Sequence, residues 1–198
     1  ATVFNIGSVT KQFTAAAILK LMEDQKLDVS DNIEKYFPQA PLDKKDITIH
    51  QLLTHTSGVS PSTGGFRYDK ASKQDYETFL RNNFWTPLQM NHTGYKGITF
   101  DSEQLAHGYY FHYTDGEWRD WGTTQEHLPY NNEHWYSIGK GDIYSTVEDL
   151  YTWHRALENN KVLSSETIKL MEEDHVPENE TQTSFYGYGW AIFNSKNN

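Results

Sequence analysis

The 198 residues suffice for one sizeable domain or two small ones, and a net charge of −10 argues against nucleic acid and anionic lipid as partners. Thirteen Tyr, ten Phe and six Trp can build a core, so disorder is a poor reading. The absence of cysteine excludes disulfide scaffolds, Cys-zinc sites and thiol nucleophiles. No apolar run approaches transmembrane length. Ala1-Thr2-Val3-Phe4-Asn5 has no initiator Met and no basic or apolar leader region, so a cut or processed N-terminus is expected.

In chain order, residues 8–25 read as a first helix, apolar on most faces from Phe13 to Met22 and therefore buried. Residues 26–38 read as a loop and short helix capped by Asp28 or Ser30, with Pro38 after its end. Thr48-Ile49-His50-Gln51 has the capping-box pattern and predicts a short helix to about Thr54. Residues 60–69 read as loop, and Ser72 can cap a helix through about Asn83, before Pro87. Short strands such as Gly108–Tyr113, with a turn at Asp115-Gly116, are expected within 92–142. Ser145 or Thr146 caps a helix over 147–158 whose face is Val147, Leu150, Tyr151, His154 and Leu157. Ser164 or Ser165 caps another to about Glu173, and Tyr186–Phe193 reads as one strand.

Ser8-Val9-Thr10-Lys11 places a hydroxyl and an amine three residues apart, on one face of a helix. At the helix N-terminus, exposed N–H groups and the dipole favour developing negative charge on Ser8. An amine is a base only when burial lowers its pKa, and the apolar residues after Lys11 supply a partly buried setting. The chemistry would be acyl transfer through a Ser8 acyl-enzyme. The tetrapeptide alone is weak, for an N-cap serine and a solvated lysine give the same letters. A second copy, Ser137-Ile138-Gly139-Lys140, stands in a Gly-containing stretch with no helical pattern and shows how readily four residues match by chance.

The neighbouring residues narrow the reading. Phe4-Asn5-Ile6-Gly7-Ser8-Val9-Thr10-Lys11-Gln12-Phe13 resembles the active-site helix of the class C β-lactamase and penicillin-binding protein (DD-peptidase) family. Leu27-Asp28-Val29-Ser30-Asp31, Leu52-Leu53-Thr54-His55-Thr56-Ser57-Gly58, Pro87-Leu88-Gln89-Met90, Tyr144-Ser145-Thr146-Val147-Glu148-Asp149-Leu150 and Tyr186-Gly187-Tyr188-Gly189-Trp190 are similar to family blocks, in family order. The resemblance implies an α+β, β-lactamase/transpeptidase-like fold: an antiparallel sheet flanked by helices plus a helical subdomain. This chain would be mostly the helical part, with at most one or two sheet strands. It implies Ser8 as nucleophile, Lys11 as base and no cofactor or metal. The substrate would be a small molecule or peptidoglycan peptide offering a peptide, β-lactam or ester carbonyl, and the location extracellular or the bacterial cell envelope.

The sequence departs from the family in two places. Gly65-Phe66-Arg67-Tyr68 resembles the approach to the Tyr-x-Asn motif, making Tyr68 the relay tyrosine, yet Asp69-Lys70 follows and a segment is expected to be lost there. Tyr130-Asn131-Asn132 matches the letters but follows the Pro-Leu-x-Met block, out of order. The Lys-Thr-Gly box is absent, and His92-Thr93-Gly94 copies its letters in the wrong region. The expectation is therefore a single domain over 1–198 lacking N-terminal strands, a segment near 68–70 and C-terminal strands. A chain truly without those strands would expose apolar surface on its first helix, so missing segments or a partner that supplies the strands is the favoured reading. A non-catalytic sensor or binding domain and a helical interaction fragment are the other readings. His50 and His55 need not converge and read as surface or packing residues.

Overall fold

The computed structural model describes residues 1–59, 73–95, 100–127 and 138–193. Strand β1 (Phe4–Asn5) leads through a single 3₁₀ turn, Gly7–Val9, into helix α1 (Thr10–Glu23). The helix thus starts two residues later than its sequence pattern suggests. Its side chains Phe13, Ala15, Ala16, Ala17, Leu19 and Leu21 are all buried. They belong to one core cluster with Leu80, Phe84, Trp85, Trp153, Leu163 and Met171. Phe13 stacks on Trp153 at 4.3 Å and meets Trp85 edge-on at 6.1 Å. Helix α1 is thus buried, as its apolar run predicts. The aromatic side chains of later helices cover it, and its apolar residues find their partners inside the chain.

Helix α2 (Ile49–Leu53) carries the expected capping box: Thr48 Oγ1 accepts from Gln51 N–H, and the Gln51 side chain accepts from Thr48 N–H. Helix α3 (Tyr76–Leu80) is capped by Asp75, not by Ser72, which lies outside the described residues, and runs into a wide π turn at Arg81–Trp85. Helix α4 (Thr124–His127) follows the hairpin described below. Helix α5 (Val147–Glu158) starts at its Thr146 cap as read, and Ser164 caps helix α6 (Ser165–Met171). The buried face of α5 differs from the one its apolar letters suggested. Asp149, Trp153, Ala156 and Leu157 point inward, while Val147, Tyr151 and His154 are exposed.

Among the described residues seven short strands form three small antiparallel sheets. β1 pairs with β4 (Tyr144–Ser145), Phe4 opposite Ser145 and Asn5 opposite Tyr144. β2 (His107–His112) and β3 (Glu117–Thr123) make a hairpin turning at Asp115-Gly116. β5 (Val176–Pro177), β6 (Ser184–Tyr186) and β7 (Ala191–Phe193) form the third sheet. The single strand read over 186–193 is therefore two strands around a turn, because Gly187 N–H bonds Trp190 O and Gly189 sits at φ +77°.

His92-Thr93-Gly94 is structural. Thr93 Oγ1 lies 2.8 Å from buried Asp149 Oδ2 and 2.7 Å from Ser145 Oγ, and His92 N–H donates to the same carboxylate oxygen at 2.8 Å. This buried network ties the Pro-Leu-Gln-Met region to the cap of α5. Asp149→Ala is expected to destabilise the fold by roughly 3 kcal/mol, since it strands the buried Thr93 hydroxyl and the part-buried His92 N–H, and urea titration measures it.

Candidate active site

Gly7 adopts φ +51°, and its N–H donates to Asn5 Oδ1 at 2.9 Å. That left-handed residue turns the chain from β1 into the 3₁₀ turn and leaves the Ser8 side chain exposed on its surface. Lys11, one turn on and half-buried, places Nζ 2.9 Å from Ser8 Oγ. The same Nζ donates to the Lys140 carbonyl oxygen at 3.0 Å. Burial, and then the Lys140 ammonium nearby, hold the Lys11 pKa below the ordinary lysine value. When the amine is neutral, Ser8 O–H donates to it while it keeps its bond to the Lys140 carbonyl.

Lys140 arrives because residues 138–145 lie along the start of α1. Tyr95 O–H donates to Ile138 O at 2.7 Å, and Thr14 Oγ1 donates to Gly139 O at 2.6 Å. Thr14 has one hydroxyl proton, so Tyr76 O–H, 2.7 Å away, is the donor in their contact. Ile143 N–H donates to Thr10 Oγ1 at 3.2 Å, and Ile6 N–H to Ile143 O at 2.9 Å. The segment dismissed as a chance Ser-x-x-Lys match thus delivers a backbone carbonyl to Lys11. No sequence signal marks a carbonyl, although the cation at position 140 was visible.

On another side lies the strap Tyr186–Trp190. A Cβ at Gly189 would stand 2.8 Å from the Lys11 carbonyl oxygen, so only glycine lets the strap pack on this turn. Gly187 is equally confined, 2.7 Å from Met171 O by the same measure. The glycines of Tyr-Gly-Tyr-Gly-Trp are close-approach residues. Gly189→Ala is expected to cost about 2–3 kcal/mol, from left-handed strain plus collision with main chain, and to slow any Ser8 chemistry; thermal unfolding checks the first part.

His55, at φ +60°, shares a 3.1 Å hydrogen bond with Tyr186 Oη through Nε2. It keeps part of its surface in solvent, yet burial, and then the Lys11 charge, lower its pKa. Tyr68, the third residue singled out from sequence, lies outside the described residues, as do Tyr130 and Ser137. Among the described residues no three His, Asp or Glu side chains gather as a metal site. No helix there is long and apolar enough to cross a membrane. A surface groove lined by Pro87, Leu88, Tyr151, Arg155 and Lys161 includes none of the residues around Ser8.

A family model described as Beta-lactamase matches residues 1–72 and 67–198, that is, the whole chain in two stretches. The chain belongs to the Beta-lactamase family. That family is one of serine hydrolases, and its fold is the α+β architecture described above. The Bacillus subtilis protein PbpX is 27% identical over 96% of this chain and 54% of its own length. An octameric penicillin-binding protein homologue from Pyrococcus abyssi has 25% identity and a TM-score of 0.74, over 97% of this chain and 54% of that one. A D-amino acid amidase from Ochrobactrum anthropi shares the fold, with 20% identity, a TM-score of 0.69 and coverage of 97% and 67%. The chain spans about half the length of the curated relatives it matches.

Proposed function

We propose that this chain carries the nucleophile and general base of a serine acyl-transfer enzyme. The observation behind the reading is the 2.9 Å contact of Ser8 Oγ with a lysine whose ammonium is disfavoured by burial and a neighbouring cation. Ser8 Oγ adds to the substrate carbonyl carbon as its proton passes to Lys11 Nζ. The tetrahedral oxyanion collapses, the leaving amine or alkoxide takes the proton from Lys11, and an ester on Ser8 remains. Water or an amine then resolves that ester, again with Lys11 moving the proton. The backbone N–H of Ser8, at the start of the helical run, is the proposed donor to the oxyanion.

The substrate class is a peptide, β-lactam or ester carbonyl, and a peptidoglycan peptide at a bacterial envelope fits the naming of the relatives as penicillin-binding proteins. Tyr68 is the proposed proton relay. The proposed loss of a segment after it is supported by the two matched stretches, which meet at residues 67–72. It is supported too by the alignment with PbpX, which runs over 228 positions against 198 residues here. The deciding experiment treats the protein with a fluorophosphonate and with a labelled penicillin, then maps the adduct by peptide mass spectrometry. An adduct on Ser8 supports the enzyme. Reversible penicillin binding with no adduct would favour a sensor domain, a reading to which the exposure of Ser8 lends weight.

A further inference from the structure

Two histidines that look unrelated in sequence turn toward one strap. His50 Nδ1 and Tyr188 Oη share a 2.7 Å hydrogen bond, and His55 Nε2 and Tyr186 Oη a 3.1 Å one. His175 stacks on Tyr188 at 4.1 Å and 22°, and its own Nε2 is fixed 2.8 Å from Leu170 O. The strap between these anchors is the one whose Gly189 rests on the Lys11 carbonyl. Both ends of the contact are therefore determined: tyrosines held by α2 and its C-terminal turn, glycine held by α1.

We propose that His50 and His55 are positioning residues for Lys11, clamping the Tyr186–Trp190 strap against the turn that carries it. The proposal rests on the assignment of Lys11 as base to Ser8. The clamp works with neutral imidazoles. Tyr188, pushed up to about 12 chiefly by burial, keeps its proton and donates it to His50 Nδ1. A protonated His50 would turn Nδ1 into a donor and bring a charge to within 5.3 Å of the His175 ring. A protonated His55 would face the Lys11 ammonium. The charges around the two tyrosines are Glu173 and Asp28 for Tyr188 and Glu178 for Tyr186, and Lys140 acts on Lys11. Burial first, and then the neighbouring His175 for His50 and the Lys11 charge for His55, hold both histidines below their ordinary pKa. The clamp is closed above about pH 6.5 and opens as pH falls through the lowered folded values.

Asn at position 50 can turn its amide oxygen to the Nδ1 position and accept from Tyr188 O–H, and Gln at position 55 can set either amide atom near the Nε2 position to pair with Tyr186 Oη. His50→Asn with His55→Gln therefore keeps both bonds and removes both titrations, whereas alanine at both positions removes the bonds. The rate of Ser8 labelling by a fluorophosphonate is measured from pH 5 to 9. The alanine pair should label roughly tenfold more slowly at pH 7.5, and the Asn/Gln pair within about twofold of wild type. Below about pH 6.5 the wild-type log rate should fall with a slope steeper than one, Lys11 and the clamp losing function together, while the Asn/Gln pair keeps unit slope. Wild-type labelling by the alanine pair, or an unchanged acid limb in the Asn/Gln pair, overturns the proposal. Should the alanine pair not fold, the acid limb of the Asn/Gln pair decides. If wild type itself takes no label, the Ser8 assignment fails. Amide exchange at Gly187–Trp190, compared between wild type and the His55→Ala variant at one pH, then tests the clamp alone, and equal protection sinks it.

Discussion

Ser8→Ala is expected to leave no covalent adduct with either probe and to lower ester hydrolysis by at least about 10⁴-fold, to the background that a shaped surface gives. The expectation follows from the chemistry. Among the described residues, the hydrogen bonds of Lys11 Nζ run to Ser8 Oγ and to a main-chain oxygen, so Ser8 supplies the hydroxyl there. The side chain of Ser8 is exposed on a 3₁₀ turn and buries nothing. Its truncation should shift the melting temperature by less than a degree or two, so lost labelling cannot be ascribed to unfolding. Retained labelling at another residue would end the acyl-transfer proposal.

Lys11→Met should slow labelling by roughly 10³-fold and flatten its pH dependence. In wild type the rate is expected to climb tenfold per pH unit as the ammonium gives up its proton, and to level off earlier than an ordinary lysine would allow, because burial and the Lys140 charge lower the Lys11 pKa. The same shift fixes the sign of the stability effect. A base whose folded pKa is depressed costs the native state stability as pH falls through that lowered value, since protonation must occur in a place that disfavours it. Methionine fills the space without the charge. Lys11→Met should therefore melt at or above the wild-type temperature while its labelling collapses, the opposition expected of a residue kept for chemistry rather than for the fold. Equal loss of both would make Lys11 a structural residue. Lys140→Ala, which keeps the main-chain carbonyl and removes the cation, should move the pH midpoint upward with little change in the plateau.

Helix boundaries were legible where capping is local. Thr48 with Gln51, Thr146 and Ser164 mark their helices by hydroxyls that bond N–H groups two or three residues on, and the chain order alone reveals them. The buried face of α5 was not. Apolar letters suggested Val147 and Tyr151, but Trp153 must turn inward to stack on Phe13, and Asp149 to take the donors of His92 and Thr93. Periodicity cannot see partners 56, 57 or 140 positions away. The same blindness explains the site. Ser8 and Lys11 are three residues apart, and their contact was legible in the spacing. The Lys140 carbonyl, the glycine approach at 189 and the two histidines facing tyrosines 131 and 138 positions away depend on how the chain closes.

That dependence has an outcome for folding. The carbonyl steadying the amine sits 129 positions downstream of it, and the first strand reaches its partner only across a similar span. Such distant pairings bear the full entropy of loop closure and come late as a chain organises. With Ser8 as the proposed nucleophile, labelling of its hydroxyl is expected to begin only on completion of the tertiary structure. Probe incorporation would serve as a clock for that last event.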